Sequence, residues 1–176
     1  MQTPYPADWE RSVTTRDGVP FRVRPIRPDD EDRERRFISR LSPESRYRRM
    51  MNAMKELPPA LLHQFVHVDY DHDMAFVALT GEPPNEEIIG VARYGQDRAG
   101  PGCEFAVVVA DAWQARGVGA TLMGLLFEYA RARGVHTLHG EILADNAQMI
   151  DLAHWLGMKT KQCAEDQHLV QASCKV

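Results

Sequence analysis

Cysteine is the first scarcity. The 176 residues hold three, Cys103, Cys163 and Cys174. An odd number this small makes no disulfide framework and reads as reduced thiols in a cytoplasm. An excess of basic charge is missing too: 21 Lys and Arg face 25 Asp and Glu, for a net charge of −4. That argues against nucleic acid or an anionic membrane as partner. No apolar run approaches the roughly 20 residues of a membrane span. The opening MQTPYPADWE lacks the basic-then-apolar pattern of a secretory signal, so a cytoplasmic location is expected. Metal-ligand spacing is absent as well. Cys163, His168 and Cys174 fit no zinc pattern. His63 and His67 stand at i, i+4, with Asp69, Asp71, His72 and Asp73 close behind. A strand beginning near Met74 forces their helix to end near Val68, which scatters the acids over a turn. No metal is expected.

What the chain does have is an ordinary globular composition, 44% hydrophobic and 26% charged, and length for one full core. Its chemistry is concentrated between Cys103 and Gly134. Glu104 to Ala110 is apolar and β-branched, which predicts a strand. Gln114-Ala115-Arg116-Gly117-Val118-Gly119 is a turn with two glycines. Val118, Leu122, Leu126, Tyr129 and Ala130 then fall on one helical face. Strand, glycine turn and helix together make a phosphate site. The first helical turn has N–H groups without partners, the helix dipole adds positive potential, and glycine lets a ligand approach the backbone. Two common nucleotide fingerprints are excluded. A P-loop needs a lysine after its last glycine, and none follows Gly119; the dinucleotide fingerprint needs three glycines.

Residues 1–8 carry two prolines and little periodicity, and predict a loose arm before a single domain at 9–176. Asp17-Gly18 between β-branched runs predicts a hairpin over 11–25. A charged helical stretch, 30–56, is broken at Ser42-Pro43. Its arginines, at 33, 35, 36, 40, 46, 48 and 49, read as a solvated face with acid partners rather than as an acceptor surface. A short helix at 60–66 precedes three strands, 74–80, 88–94 and 103–110, expected to run antiparallel. After the helix at 117–133 comes a strand at 135–143, parallel to 103–110 by a right-handed crossover. Asn146 can cap a helix that Gly157 ends, and strands at 158–163 and 168–172 finish the chain.

The pattern Gln114-x-x-Gly117-x-Gly119 resembles the GNAT superfamily of acyl-CoA N-acyltransferases, as does Asn146 followed by Leu156-Gly157-Met158. The resemblance spans about residues 20–172. It implies a mixed α/β fold, with a largely antiparallel central sheet splayed between two parallel strands and flanked by helices. It also implies acetyl-CoA as cosubstrate. Its pyrophosphate would lie on the backbone of Gln114, Ala115, Arg116, Gly117, Val118, Gly119 and Ala120. Its pantetheine arm would pair with Val107, Val108 and Val109, with Asn146 nearby. A narrower likeness is to the Pat-type bacterial protein lysine acetyltransferases. It rests on Arg24-Pro25-Ile26-Arg27-Pro28-Asp29-Asp30, on Leu41 to Tyr47, and on Asp69-Tyr70 with Met74-Ala75. It implies a lysine on an acyl-CoA synthetase as acceptor.

Acetyl transfer to an amine needs a base, because lysine, with a pKa of about 10.4, is protonated at neutral pH. Glu104 is the candidate. Its apolar strand predicts a buried carboxyl with a raised pKa, and its place matches the catalytic glutamate of several GNAT protein acetyltransferases. The family's general-acid tyrosine falls on Ala153 here, and His154 points about 100° away around the helix, so no general acid is assigned. Two other readings stay open: acetylation of a small amine, and a non-catalytic acyl-CoA-binding module.

Overall fold

The computed structural model describes residues 3–51, 54, 56–98 and 100–176. Eight strands form one sheet: β1 (Arg11–Thr14), β2 (Pro20–Pro25), β3 (Asp73–Thr80), β4 (Glu87–Gln96), β5 (Cys103–Val109), β6 (Thr137–Leu143), β7 (Lys159–Gln162) and β8 (Leu169–Lys175). Their order across the sheet is β1-β2-β3-β4-β5-β6-β8-β7, so the outermost strands, β1 and β7, are also short, at four residues each. Every pairing is antiparallel except β5 with β6. The helices are α1 (Glu31–Arg40), α2 (Pro43–Met50), α3 (Pro59–Val66), α4 (Val118–Ala132) and α5 (Ala147–Trp155). None of them is long and apolar enough to cross a membrane.

The core sits on β3 and β4. Met74 to Ala78 are each 0% exposed, so both faces of β3 are covered and the strand is apolar throughout rather than alternating. The helix α4 lies along β3, β4 and β5, and α1 lies against β4. Gly90 permits the close approach of α4: a Cβ there would stand 2.9 Å from Leu122 Cδ1. A glycine on this strand therefore serves packing, not flexibility.

Buried polar links tie the outer pieces to this core. Arg24 donates from both terminal nitrogens to Asp30, each at 2.7 Å, and Arg27 N–H adds a third bond at 2.8 Å. The Tyr70 hydroxyl donates to Ile26 O at 2.8 Å. Asp69 Oδ1 accepts from the N–H groups of Asp71, His72 and Asp73, which fixes the entry to β3. The segment read as a loose arm touches the body from Tyr5 onward. The Tyr5 ring meets Tyr70 edge-on at 5.7 Å, and Trp9 packs on Tyr129 at 5.0 Å.

The boundaries of α2 and β8 differ from the sequence expectation for clear physical reasons. The charged stretch expected to continue to 56 leaves the helix at Met50. Met51 takes a left-handed φ of 56° and donates its N–H to Tyr47 O, which closes α2. Asn52, Ala53 and Lys55 lie outside the described residues. At the other end, β8 runs on to Lys175, because β6 offers it seven pairing positions from Thr137 to Leu143.

Candidate active site

The parallel pairing of β5 and β6 covers two positions, Cys103 with Leu138 and Glu104 with His139. Beyond them the strands part, and a cleft of about 590 Å³ opens. One wall is β5 from Glu104 to Val109. The other is Glu141 to Leu143 of β6, with Asn146, the cap of α5, and Met149 and Leu152 of that helix. Backbone groups of β5 that would have paired with β6 face this gap.

The glycine turn closes one end. Ala115 and Gly117 both have left-handed φ, 57° and 93°, which reverses the chain tightly before α4. The first bond inside the helix runs from Thr121 N–H to Gly117 O at 3.0 Å, so the N–H groups of Val118, Gly119 and Ala120 precede the helical ladder. Of the residues expected at the site, Glu104, Val107, Val108, Val109, Gln114, Ala115, Gly117, Gly119, Ala120 and Asn146 all line this one cleft. Arg116 and Val118 turn their side chains away. Val118 is buried against β4. Arg116 reaches Asp17 at 2.9 and 3.1 Å and lies 4.5 Å over the Trp113 ring. The Arg116 bond, with that of Thr15, holds the exposed Asp17 carboxyl down to about 2.

That contact brings the β1–β2 hairpin to the turn. Arg16 N–H donates to Arg116 O at 3.0 Å, and the Arg16 side chain joins the cleft lining beside Gly117. Sequence reasoning missed Arg16, since an arginine at a hairpin tip belongs to no periodic pattern. On the other side, Ser45, Arg48, Arg49 and Met51 bring α2 and its C-terminal end to the lining. The helix is anchored through Asp111, which accepts from Ser42 N–H (3.0 Å) and from the Ser42 and Ser45 hydroxyls (2.7 Å each). Burial works to raise the Asp111 carboxyl, but these donors outweigh it and its pKa falls. The Gln114 amide bridges Ser45 Oγ (3.1 Å) and Val109 O (3.0 Å), so the turn, β5 and α2 share one hydrogen-bonded chain.

The arginines of α1 and α2 divide. Arg35 and Arg40 make exposed pairs with Glu31 and Glu87, as a solvated face would. Arg48 pairs with Glu44 at 2.7 Å, yet it lines the cleft together with Arg49. Arg49 and Arg93 both lie over the Phe65 ring, at 5.4 and 4.1 Å. Desolvation, then repulsion from Arg93, pushes Arg49 down to about 10, and the carboxylates of Glu34 and Glu104 resist that fall.

Glu104 is placed differently from the expectation of a buried carboxyl. It is the second residue of β5, at the last position paired with β6 before the fork, and it is exposed. It borders both the large cleft and a second one of about 500 Å³, lined by Asp73, Arg93, Asp97 and Arg98 among others. His154 donates to or accepts from Thr160 Oγ1 at 2.8 Å, on β7, and is not part of the cleft lining.

Residues 26–158 match the acetyltransferase (GNAT) family. The chain is 39% identical over 158 residues to an acetyltransferase of Pseudomonas aeruginosa, covering 90% of this chain and 84% of that one. It is 34% identical over 147 residues to the acetyltransferase Pat of Mycolicibacterium smegmatis. That match covers 82% of this chain but 43% of Pat, so the chain spans less than half of that relative. In three dimensions it is similar to the GNAT domain of S. lividans PAT, with a TM-score of 0.89 and 32% identity over 98% of this chain and 100% of that domain. The fork, the glycine turn and the sequence matches along most of the chain agree: this protein belongs to the acetyltransferase (GNAT) family, whose cosubstrate is acetyl-CoA.

Proposed function

We propose that the protein acetylates a lysine side chain of a folded protein, with an acyl-CoA synthetase as acceptor, and that Glu104 is the base. The observation that carries this reading is the position of Glu104 at the border of two clefts. In the larger cleft, acetyl-CoA rests its pyrophosphate on Gln114 to Ala120 and its pantetheine amides on the unpaired edge of β5. The acceptor amine enters through the second cleft, where Asp73 and Asp97 favour a cation. Glu104 removes a proton, directly or through one water. The freed amine attacks the thioester carbonyl carbon, the C–N bond forms, the C–S bond breaks, and the coenzyme A sulfur takes up the second nitrogen proton as it leaves.

A small acceptor carrying a carboxylate is the second reading. It is favoured by Arg49, Arg93 and Arg98, which line the same second cleft. A coenzyme A release screen decides between them, comparing a folded acyl-CoA synthetase with amino acids, a polyamine and an aminoglycoside. The lysine reading expects labelling of one synthetase lysine by mass spectrometry and slow turnover of the small amines. Rapid turnover of an amino acid without protein labelling overturns it. For the cosubstrate site, a Cβ at Gly119 would lie 3.5 Å from Leu152 Cδ2 and Val109 Cγ2, an ordinary contact. Gly119→Ala therefore serves as a folded control. Gly119→Val, with its added methyls against the turn, is expected to lose at least about tenfold in acetyl-CoA affinity by calorimetry. Unchanged affinity removes the turn from the site.

A further inference from the structure

One row of the sheet crosses the fork. Register sets Asp73 beside Gly95, Gly95 beside Glu104, Glu104 beside His139 and His139 beside Ser173. Residues in register present their side chains on the same face. Gly102 precedes Glu104 by two residues and so shares that face. A Cβ at Gly102 would stand 2.8 Å from Asp97 Oδ2 and 3.3 Å from His139 Cδ2. The space is taken by a bonded pair, His139 Nε2 and Asp97 Oδ2 at 2.7 Å. Asp97 is fixed in turn by its own N–H, which donates to Gly102 O at 2.9 Å. The imidazole thus lies over the bare backbone of Gly102, one pleat from Glu104, and its partner lines the second cleft with Glu104. Both side chains keep a water-facing portion, 29% of His139 and 27% of Asp97.

We propose that His139 and Asp97 form the proton outlet of this active site. They are a positioning pair that acts through Glu104, and the inference rests on Glu104 being the base. Asp97 accepts the Nε2 proton and so fixes the neutral tautomer whose lone pair is on Nδ1. The acceptor ammonium gives one proton to the Glu104 carboxylate, the freed nitrogen bonds to the carbonyl carbon, the C–S bond breaks, and the second nitrogen proton leaves with the coenzyme A sulfur. Glu104 hands that proton to His139 Nδ1. The Asp97 carboxylate stabilises the imidazolium, which releases the proton to water. Each turnover therefore begins again with an ionised Glu104. Asp97 and Glu104 share the second cleft with Asp73 on β3, Arg93 on β4, Arg98 in the turn after it and Arg49 on α2; along the register row Ser173 of β8 is followed by Lys159 of β7, and Glu141 lies two residues on from His139 on the same face of β6.

Nitrogen NMR of the labelled protein tests the pair without any acceptor, with the His139 signals assigned from their loss in His139→Ala. The expected result is a neutral ring protonated at Nε2. Asp97→Ala removes the acceptor at Nε2 and should let the ring proton redistribute between Nδ1 and Nε2. A wild-type ring that carries its proton on Nδ1 overturns the proposal. Kinetics with acetyl-CoA and a folded acyl-CoA synthetase give the second readout. His139→Ala should lower kcat by about tenfold or more at unchanged acetyl-CoA affinity, and added imidazole should restore it. A full rate in folded His139→Ala, or a slow rate that imidazole leaves unchanged, overturns the relay alone when Glu104→Gln is slow. A wild-type rate in Glu104→Gln overturns the base and the relay together.

Discussion

Arg16 and Glu104 mark the two ends of the cleft, and each teaches something at the scale of one side chain. Arg16 reaches the glycine turn because the hairpin tip is bonded to Arg116 through both backbone and side chain. On the proposed acetyl-CoA site, a cation there would face the pyrophosphate. Arg16→Gln is expected to lower acetyl-CoA affinity by about three- to tenfold at low salt, with the loss shrinking as ionic strength rises. Acetyl-pantetheine, which lacks the nucleotide phosphates, should bind both proteins alike in calorimetry; an equal loss for both ligands assigns Arg16 a structural role. Glu104→Gln, in turn, should reduce kcat by about 10²–10⁴-fold with acetyl-CoA affinity kept, and the defect should shrink at high pH, where more of the amine is already neutral. A steady-state pH series checks it. The turn was legible in the sequence because Gln114, Gly117 and Gly119 act locally, within one reversal of the chain. Arg16, Arg48 and Arg49 were not legible as one group, since they meet only when β1–β2 and α2 dock. The exposure of Glu104 was hidden for a related reason. Its strand neighbours are apolar, but the fork that leaves this position open belongs to β6.

At the scale of elements, the segments that carry the Pat likeness turn out to hold the fold together. Arg24 and Asp30 form a buried two-pronged pair, Ser42 and Ser45 hang α2 on Asp111, and Asp69 with Tyr70 shapes the entry to β3. These segments therefore describe how α1 and α2 are fastened beside the cleft, and the acceptor must be read from the cleft itself. Breaking the Arg24 pair leaves a buried guanidinium without its counter-charge. Asp30→Asn is expected to cost about 3–5 kcal/mol at neutral pH, measured by urea unfolding. Burial works to raise the Asp30 carboxyl, but Arg24 outweighs it and the folded pKa lies below the ordinary value. The contribution of a depressed carboxyl is full above the unfolded pKa of about 3.9 and fades as pH falls through the folded one. The gap between wild type and Asp30→Asn should therefore narrow below about pH 4. A constant gap down to pH 2 contradicts the ion-pair account. The break between α1 and α2 was legible, because Ser42-Pro43 is a cap followed by a first-turn proline. The end of α2 was not, because the left-handed residue that closes it is a methionine with no glycine-like signal.

For the whole molecule, order along the chain determined much of the architecture. Three strands joined by short turns pair as neighbours, and a helix after the third carries the chain across to a parallel fourth. How far β5 and β6 stay together was not visible, since no residue of Thr137–Leu143 marks where the pairing stops and the point of divergence depends on what packs beneath the strands. The same sheet also bears on how copies of the protein behave in concentrated solution. Its two margins are short, and β7 exposes Lys159 and Lys161 on alternate positions. A strand arriving from another molecule would gain at most four residues of pairing and would have to lie beside two ammonium groups. Charges so placed are expected to oppose fibrous or amorphous self-assembly, a task unrelated to acetyl transfer. Replacing both with valine should leave acetyl-CoA binding intact while light scattering at high protein concentration climbs, because the margin then offers a β-branched, uncharged template to the next chain.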